Sequence, residues 1–366
     1  MRVALVHYWL VGMRGGEKVL EALCRMYPQA DIFTHVLDRD SLSEELARHD
    51  IYTTFIDRLP AARRMYQKYL PLMPQALSRL NLLDYDLVIS SESGPAKGVI
   101  TRSDSLHLCY CHTPMRYLWD LYPEYYQRAG VLSRLGMRLF VPGLRRWDVE
   151  SAGMVDAFVA NSRTVARRIR KRWRREAAVV HPPVDIDAFP VREAPGGEYY
   201  LCMGQLVRYK RVDVAIEACA RMGRKLVIVG GGEEMKRLKA LAGPDVLFTG
   251  RADDAALAGW LRGARALLFP GEEDFGIVPV EALASGVPVL AYRRGGALET
   301  VRDGVGGLFF DQQTPEALMD CMAAFERREQ DFAPQTLRAC AADFNESRFR
   351  REFRHQVELA ARAMRV

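Results

Sequence analysis

The chain has 366 residues, too many for one ordinary hydrophobic core and the right length for two α/β domains. Its 49% hydrophobic and 27% charged residues exclude a disordered or fibrous chain, and no apolar run reaches the roughly 18 residues that span a bilayer. The net charge of +6 lies wholly in residues 1–190, with 27 Lys and Arg against 21 Asp and Glu, while residues 191–366 carry 25 of each. That imbalance points to an anionic partner for the first half, or to a solvated Arg-rich face.

Residues 1–10 resemble a signal peptide in outline, but a single charge, the lack of a small-residue cleavage site and the Gly15-Gly16 that follows favour a first buried strand at 3–7. Further apolar, β-branched-rich runs predict strands near 87–90, 106–110 and 155–160, then near 199–203, 225–229, 246–248, 266–269, 287–291 and 307–310, with helical patterns between them. This alternation predicts α/β architecture with doubly wound parallel sheets. His181-Pro182-Pro183-Val184-Asp185 and the Pro/Gly stretch behind it mark a boundary, giving domains at 1–185 and 186–346. In 347–366 the spacing of Phe349, Phe353 and Val357 predicts a helix that crosses back to brace the first domain. Seven scattered cysteines read as reduced thiols in a cytosolic protein. Cys109, Cys111 and His112 lack a second Cys pair at zinc spacing, so the two cysteines are expected on one face of a buried strand and no metal is expected.

The most informative stretch is 269–289. A strand ends at Phe269, a Gly-containing loop follows, Pro279 takes a first-turn helix position and Gly286 stops the helix. A helix starting at the carboxyl edge of a parallel sheet turns unpaired N–H groups outward, which suits a diphosphate. Glu273 falls in the loop and Glu281 is expected in the first helical turn. Two carboxylates so placed can grip two hydroxyl-bearing rings on either side of a phosphate pair, or can both be surface glutamates in an acidic run. Upstream, Gly204-Gln205-Leu206-Val207-Arg208-Tyr209-Lys210-Arg211 leaves another strand end. Arg208, Lys210 and Arg211 stand there either as cations for a departing diphosphate or as a solvated turn. In the first half, Gly12-x-x-Gly15-Gly16 lacks the third glycine of a dinucleotide fingerprint. His112 follows a strand, in a position where a lone histidine is more often structural than functional.

Two basic segments remain. Residues 58–79 hold Arg58, Arg63, Arg64, Lys68 and Arg79 without an acidic residue, interleaved with Leu59, Met65, Tyr66, Tyr69, Leu70, Leu72 and Met73, and residues 163–175 carry eight Lys and Arg without a carboxylate. Such segments can dock on an anionic membrane surface; a solvated helix face or an acceptor groove is the alternative.

These segments resemble glycosyltransferase family 4 over nearly the whole chain. Gly204 to Lys210 stand where the family has Gly-x-Leu-Val-x-x-Lys, Glu273 and Glu281 form its E-x7-E element, and Asn161-Ser162, His181 with Asp185, and Gly295-Gly296 with Glu299 also match. The resemblance implies the GT-B fold, two Rossmann-like doubly wound domains facing a central cleft, and retaining transfer from a nucleotide sugar with no metal or other cofactor. It implies that Lys210 holds the donor diphosphate, Glu273 accepts hydrogen bonds from the donor sugar, and the backbone of Phe275, Gly276, Ile277 and Val278 contacts sugar and phosphates. Glu281 then binds the ribose and Arg251 lies near the base. Many members carry Arg where this chain has Gln205, which leaves Arg208 or Arg211 as the second cation. Gly15 and Gly16 approach donor and acceptor, and His112, with Arg116 beside it, serves the acceptor side, so His112, Glu273 and Lys210 are the expected catalytic set.

Residues 15–21 and 111–117 together resemble bacterial mannosyltransferases of O-antigen and exopolysaccharide assembly. This implies GDP-mannose as donor, a glycan or lipid-linked acceptor, no nucleic-acid partner, and a cytoplasmic enzyme held peripherally at the inner face of the membrane. A nucleotide-sugar epimerase of the same fold and a non-catalytic nucleotide-sugar-binding partner of a synthase are the alternatives.

Overall fold

In the computed structural model, which describes residues 1–364, apolar β-branched runs become parallel strands buried on both faces, and the amphipathic stretches between them become the covering helices. The chain forms two units, one of Met1–Pro183 joined by the chain from Phe349 onward, the other of Val184–Arg348.

The first unit holds β1 (Val3–His7), β2 (Asp31–Thr34), β3 (Ile51–Thr53), β4 (Leu87–Glu92), β5 (Leu106–Cys111), β6 (Ala157–Ala160) and β7 (Ala178–Val179). Their order across the sheet is β3-β2-β1-β4-β5-β6-β7, every pair parallel. The second unit holds β8 (Tyr199–Met203), β9 (Leu226–Val229), β10 (Val246–Gly250), β11 (Ala264–Phe269), β12 (Val289–Tyr292) and β13 (Gly307–Phe310), ordered β10-β9-β8-β11-β12-β13. In each sheet the chain starts in the middle, winds to one edge, then returns and winds to the other. The winding reverses between β1 and β4 and between β8 and β11, where ligands bind beyond the carboxyl ends of such strands.

The helix Glu346–Ala363 buries Phe349 and Phe353 against Tyr110 of β5, with ring centroids 5.7 and 6.0 Å apart, inside the core of the first unit. Each such phenylalanine stabilises the unit by about 2 kcal/mol. All seven cysteines are buried free thiols, and Cys109 and Cys111 share one cluster with Val165, Ile169 and Trp173 of the helix Arg163–Trp173.

A fully buried ionic cluster lies beyond β4. Lys97 Nζ is 2.6 Å from Asp148 and 3.3 Å from Glu92, and Asp148 also accepts the indole N–H groups of Trp119 at 2.7 Å and Trp173 at 2.8 Å. Burial pushes Lys97 toward the neutral form, yet Asp148 and Glu92 outweigh it and hold the amine above its ordinary range; burial raises the Glu92 carboxyl. The cluster binds the end of β4 to the helices Val131–Ala152 and Arg163–Trp173.

The basic segment 58–79 differs from the sequence expectation. Tyr66 and Met73 are buried with Ile56, Ala62 and Ala76, and Leu59, Tyr69 and Leu70 pack against them, so most of its apolar side chains supply a core; Leu72 stays exposed beside the exposed cations, of which Arg63 pairs with Asp38 at 3.4 Å. In the other segment Arg168 and Arg172 pair with Asp120 at 3.3 and 2.6 Å, and Arg175 donates to the carbonyls of Ala152 and Val155. No described helix is long and apolar enough to cross a membrane.

Two buried histidines make the first unit acid-sensitive. His35 lies 3.1 Å from Thr54 Oγ1 and 3.0 Å from the Pro95 carbonyl, and His107 lies 2.9 Å from Ser90 Oγ; burial pushes each down to about 4. In the unfolded chain a histidine titrates near 6.5. The unfolded state therefore takes up protons first as pH falls, so this stability is fully present above about pH 6.5 and is lost progressively toward pH 4. Lowering the pH from 7 to 5 should cost on the order of 2 kcal/mol per histidine. Calorimetry should show a melting midpoint several degrees lower at pH 5, and equal midpoints at the two pH values would contradict the assignment.

Candidate active site

In the second unit the candidate residues collect on one sheet edge because β8 and β11 are neighbours. The chain leaves β8 at Gly204, whose φ of +119° is left-handed, and passes through the short turn Arg208–Lys210. It leaves β11 at Phe269, and the loop 270–276 leads into the helix Ile277–Ala284. Lys210 Nζ and Glu273 Oε1 meet 2.7 Å apart. A Cβ on Gly204 would stand 2.9 Å from that Nζ, and the φ of +119° already favours glycine there. Burial pushes the Lys210 amine down, but Glu273, with Glu281 behind it, outweighs burial and holds the amine above its ordinary value.

The loop carrying Glu273 is fixed from β12. Gly296 donates its N–H to the Glu273 carbonyl at 2.8 Å, and a Cβ at Gly296 would lie 2.2 Å from the Phe275 carbonyl oxygen. Phe275 buries its ring edge-on to Phe344, centroids 5.6 Å apart, so its side chain anchors the loop and only its backbone is available to a ligand. Gly276, at φ +89°, caps the helix, and Ile277 and Val278 open its first turn with outward N–H groups. Glu281 is the fifth residue of this helix rather than a first-turn residue, because the helix begins at Ile277. Glu281 is buried, and its charge adds to the field that holds the Lys210 amine up.

Gln205 and Arg208 are exposed on the same turn. Arg211 adopts φ +51° at the head of the helix Val212–Met222 and directs its guanidinium to Asp213 at 3.2 Å, while Arg208 lies exposed on the turn before it. Arg251 follows β10 and packs beside Gly231, the added Cβ there lying 3.6 Å from Arg251 Cγ.

In the first unit Gly15 and Gly16 open the helix Gly15–Met26 after β1, and a Cβ on Gly16 would meet the Tyr8 hydroxyl at 2.4 Å. His112 follows β5, partly buried, with Arg116 in the turn beyond it. His112 Nε2 lies 2.8 Å from Ser91 Oγ, which lies 3.0 Å from His7 Nδ1, and His7 Nε2 is 3.7 Å from Glu17. Burial, and then His7, push His112 down to about 3, so at neutral pH it is an uncharged imidazole suited to a hydroxyl. Ser91, His7 and Glu17 were not anticipated. The available signal was a polar residue at the end of each of two buried strands, since His7 and Ser91 are directly paired across β1 and β4.

Two doubly wound parallel sheets, one with a cation, a carboxylate and a helix N-terminus on its carboxyl edge, are the architecture of the GT-B fold. Residues 13–188 match the family model described as Glycosyltransferase Family 4, and residues 184–338 that described as Glycosyl transferases group 1. The chain belongs to the family 4 glycosyltransferases and is an enzyme of the hexosyltransferase class. It is 26% identical to the alpha-1,3/1,6-mannosyltransferase alg2 of Schizosaccharomyces pombe, over 84% of this chain and 70% of that one. A GDP-mannose-dependent alpha-mannosyltransferase of Corynebacterium glutamicum is 37% identical over 30% of this chain and 26% of its own. Among solved structures, Anabaena HepE in complex with UDP and glucose superposes with a TM-score of 0.72 at 17% identity, covering 97% of this chain and 99% of that one.

Because a Cβ at Gly296 meets backbone rather than a movable side chain, Gly296→Ala should shift the Glu273 loop at a cost of about 1–3 kcal/mol. Thermal stabilisation by a nucleoside diphosphate should fall sharply in this variant. It should survive in Gly243→Ala, where an added Cβ has no heavy atom within 4 Å. Equal stabilisation in both variants would remove the role assigned to the Gly296 contact.

Proposed function

We propose that the enzyme transfers mannose from GDP-mannose, with retention of anomeric configuration, to a hydroxyl of a glycan or lipid-linked acceptor in cell-surface polysaccharide synthesis at the cytoplasmic face of a membrane. The Lys210–Glu273 pair beside the helix N-terminus at Ile277 carries the reading. A diphosphate competes with Glu273 for Lys210 and gains the N–H groups of the helix N-terminus and the Arg208 guanidinium. Glu273, released from its partner, then accepts hydrogen bonds from the donor sugar. Negative charge that grows on the leaving phosphate is stabilised by Lys210 and Arg208 without a metal. Glu281 holds the ribose and Arg251 the region of the base.

The hydroxyl of the acceptor attacks on the face the phosphate leaves, and that phosphate takes its proton. Gly15, Gly16 and Arg116 serve the acceptor side, where neutral His112 orients the hydroxyl through a hydrogen bond. The mannosyl donor is supported by the names of the two mannosyltransferase relatives, one of which specifies GDP-mannose. The membrane setting is supported by the exposed cations Arg64, Lys68, Arg167, Arg170 and Lys171.

Lys210→Ala and Glu273→Ala should each lower kcat by at least about tenfold while leaving the fold intact, since each group acts where charge or the sugar changes. Glu281→Ala should mainly raise KM for the donor, because the ribose is remote from the reacting bond. Steady-state kinetics with near-normal kcat for either of the first two would overturn the site.

GDP and GDP-mannose should raise the melting temperature more than UDP and UDP-glucose do, since a pocket fitted to guanine leaves polar groups unpaired against uracil. Stabilisation by UDP compounds alone would overturn the donor.

A further inference from the structure

The helix Val131–Ala152 has two apolar faces, and only one of them is covered. Met137, Val141 and Leu144 pack inward with Met115 and Leu118. On the opposite side Val131, Leu132, Leu135 and Leu139 lie within about a quarter-turn arc of the helix. They are 84%, 84%, 65% and 70% exposed, and Phe140 and the preceding Tyr125 are also exposed. An outward row of this size is not the margin of the core, since it points away from it.

The charges around the row are of one sign. Residues 125–147 contain Arg128, Arg134, Arg138, Arg145 and Arg146 and no acidic residue. Arg134 donates to the carbonyls of Tyr126 and Gln127 and Arg145 to that of Leu118, which fixes both side chains without neutralising them. Arg128 alone of the five has a nearby carboxylate, Glu124 at 3.9 Å.

We propose that this face, residues 131–140 with its flanking arginines, docks on an anionic phospholipid surface, with the leucine and valine side chains entering the headgroup and acyl boundary and the guanidinium groups meeting lipid phosphates. The proposal deepens the membrane setting proposed above and rests on that setting for its purpose, while the docking is a property of this face alone. Apolar side chains projecting from a convex helix suit a fluid layer, whereas a protein partner would offer a groove. A second copy placed about a two-fold axis would set the same arginines against one another. Most of the apolar side chains assigned by sequence to residues 58–79 are buried, and the larger exposed apolar row lies on this helix.

Co-sedimentation with vesicles of phosphatidylcholine, alone or mixed with phosphatidylglycerol, tests the face. The wild-type chain should partition at least about tenfold more strongly onto the mixed vesicles, and less so as salt is raised. A triple variant, Val131→Ser with Leu135→Ser and Leu139→Ser, should lose at least about tenfold in that binding, as should Arg138→Glu with Arg146→Glu. Arg64→Ser with Lys68→Ser should lose less. The substituted apolar residues are outside the core, so the melting temperature and the stabilisation by GDP should be unchanged. Three results would overturn the proposal: no binding of the wild-type chain to mixed vesicles, a triple variant that binds as wild type, or a wild-type dimer in analytical ultracentrifugation that the triple variant makes monomeric. Loss of vesicle binding with GDP stabilisation intact concerns this face alone, whereas a wild-type chain that no nucleotide stabilises would sink the sugar-transfer reading instead.

Discussion

The 2.7 Å pair of Lys210 and Glu273 sets the terms for the donor unit. The loops that carry it, from adjacent strands, run so close that a Cβ on Gly271 would lie 2.7 Å from Lys210 Cα. Gly204 stands beside the lysine head, and Gly296, after β12, lets that loop buttress the glutamate loop. The pair also resolves an electrostatic problem, because partial burial pushes the lysine amine down and the neighbouring carboxylate holds it above its ordinary value. Glu273 keeps Lys210 charged until an anion takes over, so the cation is pre-formed where a diphosphate must land and costs little reorganisation when it does. An exposed lysine on a solvated turn would offer the same charge with far less field.

The first unit solves its burial problem differently. The cluster of Lys97, Glu92 and Asp148 is fully enclosed and every charge has a partner, two of the Asp148 bonds coming from indole N–H groups. Such a cluster adds little net stability over an apolar replacement, but removing one member leaves a buried charge unpaired, at a cost of about 3–5 kcal/mol. The line from Glu17 through His7 and Ser91 to His112 is of another kind. It is uncharged at its exposed end, and it fixes the orientation of the imidazole rather than the position of a helix. Orientation matters because a neutral imidazole offers one donor and one acceptor, and Ser91 engages one of its two nitrogens.

How much of this was legible follows from what a linear pattern can carry. The strands of the second unit were readable because each is an apolar run bounded by Gly, Pro or a charged turn, and the first unit's β1, β4, β5 and β6 share that signal. β3 and β7 have only three and two residues, too few for a period to register, and β2 reads Asp-Ile-Phe-Thr, with just two apolar residues. Lys210, Glu273 and the loop glycines were legible as a cluster of special residues at strand ends. Glu281 was placed one turn too early because Pro279 suggested a later helix start than the one set by Gly276. Ser91 and His7 were invisible as a pair, since only the register of β1 on β4 joins them across 84 positions. The outward face of the helix Val131–Ala152 was hidden for a related reason: apolar spacing reveals a face but not whether protein covers it.

Burial also changes what the charge count means. The first half has a modest excess of cations in sequence, but Glu17, Glu92 and Asp148 are buried against a single buried cation, Lys97, so its surface is more positive than the composition suggests. Asp120 pairs with Arg168 and Arg172, which offsets part of the positive charge of the helix Arg163–Trp173. What remains outside is concentrated on the helices Val131–Ala152 and Arg163–Trp173 and on the turn carrying Arg64 and Lys68. Among these, the first offers a row of uncovered apolar side chains, whereas the turn carrying Arg64 and Lys68 offers Leu72. Cations alone attract an anionic surface from about a Debye length away and release it when salt rises, whereas apolar insertion acts only on contact and is nearly indifferent to salt. A face that combines the two captures by one force and holds by the other, and that combination, rather than the net charge, distinguishes this helix from the other basic surfaces of the unit.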